Sequence, residues 1–133
     1  MIRRYTRPEM GAVWSDEARY AKWLAVELAV CDAYAHRGVI PAEAAARIRS
    51  RARVEARRIE EIEARVRHDV IAFLTNLEEA IGEDSRFVHL GLTSSDVVDT
   101  ALALQLVEAA DRLLAGLDRL REALRDLALR HRD

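Results

Sequence analysis

The sequence predicts an all-α fold, in which a small N-terminal helical domain leads into the first long helix of a central helical bundle. Three observations predict this fold. Only five glycines and two prolines interrupt 133 residues, half of them hydrophobic, a composition typical of a folded, helix-rich chain. Helical patterns follow one another in four segments before residue 90. A heptad pattern of leucines then runs to the end of the chain.

The first elements are an irregular segment and a long helix. Residues 1–14 are predicted to be irregular, because they contain a proline and a glycine as breakers. Ser15 or Asp16 then caps a helix that runs to about Arg37, and Gly38 ends it. The apolar stripe of this helix consists of Tyr20, Leu24, Leu28, Cys31 and Ala35, with Trp23 beside it.

Three shorter helices follow. Pro41 opens the first, AEAAARIRSRA, because proline is accepted at the first helical position. The second, EARRIEEIEARV, places three apolar residues on one face, namely Ile59, Ile62 and Val66. The third, HDVIAFLTNLEEAIG, has apolar residues at i, i+3, i+4 and i+7, and its Gly82 is a natural C-cap. EDSRFVHLGL is predicted to be a loop.

The last helix is predicted to begin at Ser95 or Asp96 and to reach the end of the chain. Its seam alternates steps of four and three residues, through Leu106, Ala110, Leu113, Leu117, Leu120, Leu124 and Leu127. At 1.5 Å per residue it would be roughly 54 Å long, more than the preceding helices can cover. We therefore expect an N-terminal domain at 1–93 and a truncated bundle domain at 94–133, in a fragment cut inside or just after a bundle helix.

Composition argues against several classes of function. The 21 basic and 23 acidic residues give a net charge of −2, which does not favour nucleic acid or a membrane surface as partner. Cys31 is alone, so neither a disulfide framework nor a cysteine metal cluster is expected. No apolar run suits a membrane span or a signal peptide, and we expect a cytoplasmic protein. Glycine-rich nucleotide loops and metal-ligand spacings are missing, so an enzyme here would need no metal or cofactor.

The segment HLGLTSSDVVDT, at 89–100, gathers small polar residues where the last helix begins. Thr93 and Asp96 have the spacing of a capping box, with aspartate in place of the usual glutamate. One hydroxyl suffices for a cap, yet Thr93, Ser94 and Ser95 supply three. Free N–H groups and the positive end of the helix dipole also suit a carboxylate or phosphate. Both a simple cap and an anion site fit these residues.

Two further polar clusters have a functional and a structural interpretation. In RHDV, at 67–70, Asp69 is a plausible cap, while Arg67 could bind an anion and His68 could transfer a proton. In RRYTR, at 3–7, three arginines around a tyrosine could clamp a phosphate or form a frayed terminus. His89 is either a loop histidine or a second imidazole near the anion.

Taken together, these blocks resemble the N-terminal part of the adenylosuccinate lyases, in the fumarase/aspartase superfamily. RYTRPEM at 4–10, RHDVIAF at 67–73 and FVHLGLTSSDVVDTA at 87–101 occur in the family's order, and the resemblance covers essentially the whole chain. It implies cleavage of adenylosuccinate to AMP and fumarate, and of SAICAR to AICAR and fumarate, by β-elimination without a cofactor. It also implies a homotetramer whose active sites each draw on three subunits.

The resemblance also implies roles for individual residues. Arg4 and Tyr5 match residues on the phosphate side of the nucleotide, and His89 matches a histidine near the phosphate. Arg67, His68 and Asp69 match a substrate-binding segment whose histidine assists catalysis. Thr93 and Ser94 match the pair that holds a succinyl carboxylate.

Two alternatives remain open at this point. The chain could belong to another lyase of the superfamily, such as one similar to argininosuccinate lyase, or it could be a helical oligomerisation module without chemistry. The family's second catalytic histidine and its serine-bearing loop would lie beyond Asp133. We therefore expect that this chain alone does not turn over substrate.

Overall fold

The computed structural model describes residues 2–132, apart from the side chain of Arg3. These residues form helices and no strand, so the predicted all-α class is confirmed. The α-helices are α1 Pro8–Val13, α2 Asp16–His36, α3 Ala42–Arg51, α4 Ala56–Val66, α5 Asp69–Ile81 and α6 Ser94–Arg130, with 3-10 turns at Arg3–Tyr5 and Glu83–Phe87. None of the described helices is long and apolar enough to cross a membrane.

The prediction that residues 1–14 are irregular was wrong. Pro8 occupies the first position of α1, where its missing N–H is not needed and its fixed φ suits a helix. Gly11 lies inside α1 and does not break it. A Cβ at Gly11 would lie 2.9 Å from Cγ2 of Thr6, so glycine here allows the N-terminal turn to fold closely onto α1.

The predicted cap of α2 is confirmed, whereas the predicted start of α3 is off by one residue. The Oγ atom of Ser15 accepts a hydrogen bond from the N–H of Ala18 at 3.1 Å, so Ser15 caps α2 as predicted. Gly38, just after the end of α2, has φ of +71°, a conformation that favours glycine. Pro41, predicted at the first helical position, is the N-cap of α3, and the helix begins one residue later at Ala42.

The hydrophobic core is built from residues of α2, α3, α4, α5 and the start of α6. Phe73 is fully buried; its ring stacks on Tyr20 at 6.3 Å and meets Trp23 edge-on at 5.4 Å between centroids. Ile59 and Ile62 of α4 are buried in the same cluster. The core therefore fixes the start of α5, which carries one of the predicted site segments.

Replacing Phe73 with alanine should lower the free energy of unfolding by about 3–5 kcal/mol, because a fully buried ring is lost and a cavity remains. Ile71→Ala, two residues away on the same helix, is the control, since Ile71 is 47% exposed and should cost much less. Urea unfolding followed by circular dichroism measures both. Equal losses for the two variants would contradict this description of the core.

Helix α6 is covered only along its first four turns. Val97, Ala101, Gln105 and Ala109 are buried, and Nε2 of Gln105 donates a hydrogen bond to the carbonyl of Val13 at 2.7 Å. Further along, the predicted seam is open, with exposures between 48% and 61% for Leu106, Leu113, Leu117, Leu120, Leu124 and Leu127. The 37 residues of α6 span roughly 55 Å, and the described residues leave the part of this helix after Ala109 largely uncovered.

The segment between α5 and α6 is more ordered than the predicted loop. It contains the 3-10 turn Glu83–Phe87. The guanidinium of Arg47, in α3, donates a hydrogen bond to each carboxylate oxygen of Asp84, at 2.7 and 2.9 Å. The hydrogen bonds from Arg47 hold the pKa of the Asp84 carboxyl below its usual value. This ion pair holds the segment that leads to His89 and the start of α6 against α3.

Candidate active site

Arg67 and His68 form the sharp junction between α4 and α5. Arg67 ends α4 in the left-handed conformation, with φ of +58°, an uncommon conformation for a residue other than glycine. His68 returns to an extended conformation and is the N-cap of α5. The chain thus reverses within two residues, and both side chains are exposed.

His68, and not Asp69 as predicted, caps α5. Nδ1 of His68 accepts the N–H of Ile71 at 3.4 Å and lies 3.5 Å from Oδ1 of Asp69. Both distances are long for hydrogen bonds, and the side chain is 49% exposed. The imidazole is therefore placed at the positive end of a helix and remains accessible to an incoming group.

His89 is held more firmly than a free loop histidine. Its φ is +62°, and its backbone N–H donates to Oε2 of Glu27 at 2.9 Å. Its Nδ1 lies 2.6 Å from Oε1 of the same carboxylate. The side chain of Glu27 is only 1% exposed and that of His89 is 18% exposed. The imidazole is thus anchored on one edge by a buried acid.

Thr93 and Asp96 form the predicted capping box at the start of α6. The N–H and the hydroxyl of Thr93 both donate to Oδ2 of Asp96, at 2.7 and 2.8 Å. The N–H of Asp96 donates to Oγ1 of Thr93 at 3.4 Å. Hydrogen bonds from the backbone and side chain of Thr93 lower the pKa of the Asp96 carboxyl. The helix begins at Ser94, one residue before the earlier of the two predicted starts.

Ser94 and Ser95 keep their polar groups available. Within the part of the chain that the structure describes, the cap engages Thr93 and Asp96, and no hydrogen bond involves the hydroxyl or N–H of either serine. Ser94 is half-buried and Ser95 is exposed. One hydroxyl of the three therefore caps the helix, while two hydroxyls and two N–H groups remain at its positive end.

Arg4 and Tyr5 are residues of the N-terminal 3-10 turn. Both are exposed, Tyr5 to 73%, and the guanidinium of Arg4 stacks on the Tyr5 ring at 4.9 Å. Among residues 2–132, no hydrogen bond or ion pair joins Arg4 and Tyr5 to Arg67–Asp69, or either group to His89–Ser94. The structure places His89, Thr93 and Ser94 at the start of α6, His68 at the start of α5, and Arg4 and Tyr5 in the N-terminal 3-10 turn.

Sequence reasoning missed Glu27. A signal for it was present, because Glu27 lies seven residues after Tyr20, four after Trp23 and four before Cys31, all buried on one face of α2. A single acidic residue in phase with an apolar stripe indicates a buried carboxylate that needs a partner. That partner, His89, is 62 residues away in sequence.

Comparison with known proteins supplies the context for this geometry. The profile of a family described as "Lyase" matches residues 3–133. Adenylosuccinate lyase of Synechocystis sp. is 54% identical over 99% of this chain, and that of Bacillus subtilis is 48% identical, also over 99%. The chain spans 31% of the length of each. The predicted resemblance to adenylosuccinate lyases is therefore confirmed.

A solved structure agrees with the fold. The crystal structure of a fumarate lyase from Mesorhizobium sp. BNC1 superposes with a TM-score of 0.85 at 28% identity, over 93% of this chain and 30% of that one. Its similarity extends along nearly all of the helices described above. Since the family profile matches all but two residues at one end, the chain belongs to this family of lyases.

Proposed function

We propose that this chain is the N-terminal part of an adenylosuccinate lyase, which cleaves adenylosuccinate to AMP and fumarate and SAICAR to AICAR and fumarate. The observation that carries the proposal is the identity of 45–54% to proteins named adenylosuccinate lyase, over 93% or more of this chain. The available donors at the start of α6 support it independently, because they suit a dicarboxylate substrate.

The proposed reaction is a β-elimination, and the start of α6 is suited to help it. A base removes the proton next to a succinyl carboxylate, the C–N bond breaks, and the leaving nitrogen takes up a proton. Negative charge grows on that carboxylate in the transition state, so fixed donors on it lower the barrier. In this proposal Thr93 and Ser94 form the seat for that carboxylate: Ser94 supplies its hydroxyl and N–H, while Thr93, whose own N–H and hydroxyl donate to Asp96, fixes the start of the helix beside it. His68, at the start of α5, transfers a proton near neutral pH.

The remaining candidates bind the nucleotide in this proposal. Arg4 and Tyr5 contact the phosphate side, and His89 lies near the phosphate. Arg67 and Asp69 flank His68 and orient the substrate. Within residues 2–132 no hydrogen bond or ion pair joins these three sets of residues to one another, and in this proposal the site is assembled from several subunits. The uncovered leucines of α6 support its completion as a homotetramer through a helical bundle.

Two broader features belong to the same proposal. We place the boundary between the N-terminal domain, 1–93, and the bundle domain, 94–133, at the cap of α6, which lies between Thr93 and Ser94. We also place the protein in the cytoplasm, where Cys31, a buried free thiol, fits a reducing compartment.

The test uses a full-length lyase polypeptide that carries this segment, called the full-length lyase below. It should release fumarate from adenylosuccinate and from SAICAR, and AMP should inhibit it more strongly than aspartate or arginine. The isolated chain should not turn over substrate, since it spans only 31% of the length of the lyases it resembles. Cleavage of argininosuccinate in place of adenylosuccinate, or clear turnover by the isolated chain, would contradict the proposal.

A further inference from the structure

Glu27 is a buried acid that the proposed chemistry leaves unused. Its side chain is 1% exposed, and burial of an ionised carboxylate is costly unless it is paired and hydrogen-bonded. Both of its oxygens are engaged by one residue, His89, through the backbone N–H and through Nδ1. Burial and then the charge of Glu27 raise the pKa of Cys31, one turn further along α2, to about 11.

This contact determines which nitrogen of His89 carries a proton. An ionised carboxylate can only accept hydrogen bonds, so Nδ1 must be the donor at 2.6 Å. In the neutral ring Nε2 then holds the lone pair, and in the charged ring it holds the second proton. Within residues 2–132 the His89 ring makes its hydrogen bond through Nδ1. Nε2 is therefore available to bind a group outside these residues.

The same contact also stabilises the backbone of His89. A left-handed φ is uncommon in residues other than glycine and is tolerated by histidine more than by most. The N–H of His89 is held by Glu27, and its carbonyl accepts the N–H of Leu92 at 3.2 Å. Gly91 follows with φ of +71°. The turn at His89–Leu92, which precedes Thr93 and Ser94, is therefore held against α2 by the hydrogen bonds of Glu27.

Resting on the proposed function, we propose that Glu27 is a positioning residue, whose buried carboxylate holds Nδ1–H of His89 so that Nε2 faces the anionic substrate and donates to it when the ring carries its second proton. Glu27 does not itself touch the substrate. It acts through His89, as an outer carboxylate acts on a working histidine in other enzymes.

Glutamine at position 27 separates this role from simple packing. Glu27→Gln keeps the shape of the side chain. The backbone N–H of His89 needs an acceptor at this position, so the amide oxygen of the glutamine must face it. Its NH2 group must then face Nδ1, which becomes an acceptor, so that the neutral ring carries its proton on Nε2. A purely structural role for Glu27 would leave the tautomer unchanged.

Nitrogen NMR of this chain with 15N-labelled histidine measures the tautomer directly. The chain has four histidines, and the His89→Gln variant assigns the signal of His89 by its loss. With the ring neutral, we expect proton on Nδ1 in the unchanged chain and on Nε2 in Glu27→Gln, with the His68 signals unaltered. A neutral His89 ring with its proton on Nε2 in the unchanged chain would overturn the proposal even if the variant failed to fold.

Kinetics of the full-length lyase test the consequence for the reaction. Glu27→Gln should lower kcat/KM by about 10–100-fold, the range for loss of an outer partner of a ligating histidine. Added to His89→Gln, it should cause no further loss, because it acts through that residue. A full additional loss in the double variant would contradict positioning. Absence of lyase activity in the unchanged enzyme would instead remove the proposed function, while the NMR result would still stand.

Discussion

The His68→Gln variant of the full-length lyase should lose about 10²–10⁴-fold in kcat, the usual contribution of a general acid or base. His68 is half exposed at the start of α5, and its hydrogen bond to the N–H of Ile71 is long. Glutamine can preserve the cap through its side-chain oxygen but cannot transfer a proton. We therefore expect the fold to survive while turnover does not, as measured by fumarate release and circular dichroism.

His36→Gln is the matched control for this variant. His36 is an exposed residue at the end of α2, so its replacement should leave kcat unchanged. Normal turnover by His68→Gln would contradict the proposed role and would favour a helical oligomerisation module without chemistry in this part of the protein. Unfolding of His68→Gln in urea should resemble that of the unchanged enzyme, since only an exposed cap is altered.

The Ser94→Ala variant should lower kcat by about 10²–10³-fold, the loss seen when one fixed donor is removed from a developing oxyanion. Ser94 takes no part in the capping box, which Thr93 and Asp96 form between themselves. The start of α6 should therefore keep its structure when the Ser94 hydroxyl is removed. Steady-state kinetics with adenylosuccinate measure the effect on kcat and KM separately.

Ser95→Ala provides the matched control, because Ser95 is the next hydroxyl of the same helix turn and is exposed. We expect it to change kcat little. Thr93→Ala is informative in a different way, since it removes the cap as well and should cost about 1 kcal/mol of stability. Similar kinetic losses for Ser94→Ala and Ser95→Ala would show that the start of α6 acts as a general polar surface and not as a defined seat.

Much of this fold follows from local rules that a sequence exposes. Three of its features each depend on a few neighbouring residues: the cap at Ser15, the capping box of Thr93 and Asp96, and the glycines with positive φ after α2 and α5. Local rules were insufficient where one residue fits two structures. Pro8 can break a helix or begin one; in the structure it begins α1, whose last residue, Val13, accepts a hydrogen bond from Gln105 of α6.

The candidate site was only partly predictable for the same physical reason. The residue types at 67–69 and 93–94 indicated an anion-binding site and a proton-transfer group, because anion binding and proton transfer depend on the chemistry of neighbouring residues. The pairing of Glu27 with His89 joins residues 62 positions apart, and no spacing rule connects them. A helix N-cap formed by His68 in place of Asp69 depends on the sharp reversal at Arg67, which composition does not reveal.

The central claim is that the start of α6 binds a carboxylate of the substrate. A crystal structure of the full-length lyase with fumarate and AMP bound tests it most directly. We expect a fumarate oxygen within about 2.7–3.2 Å of the Ser94 hydroxyl or N–H, the range of real hydrogen bonds. Bound fumarate without contact to Thr93 or Ser94 would contradict the account.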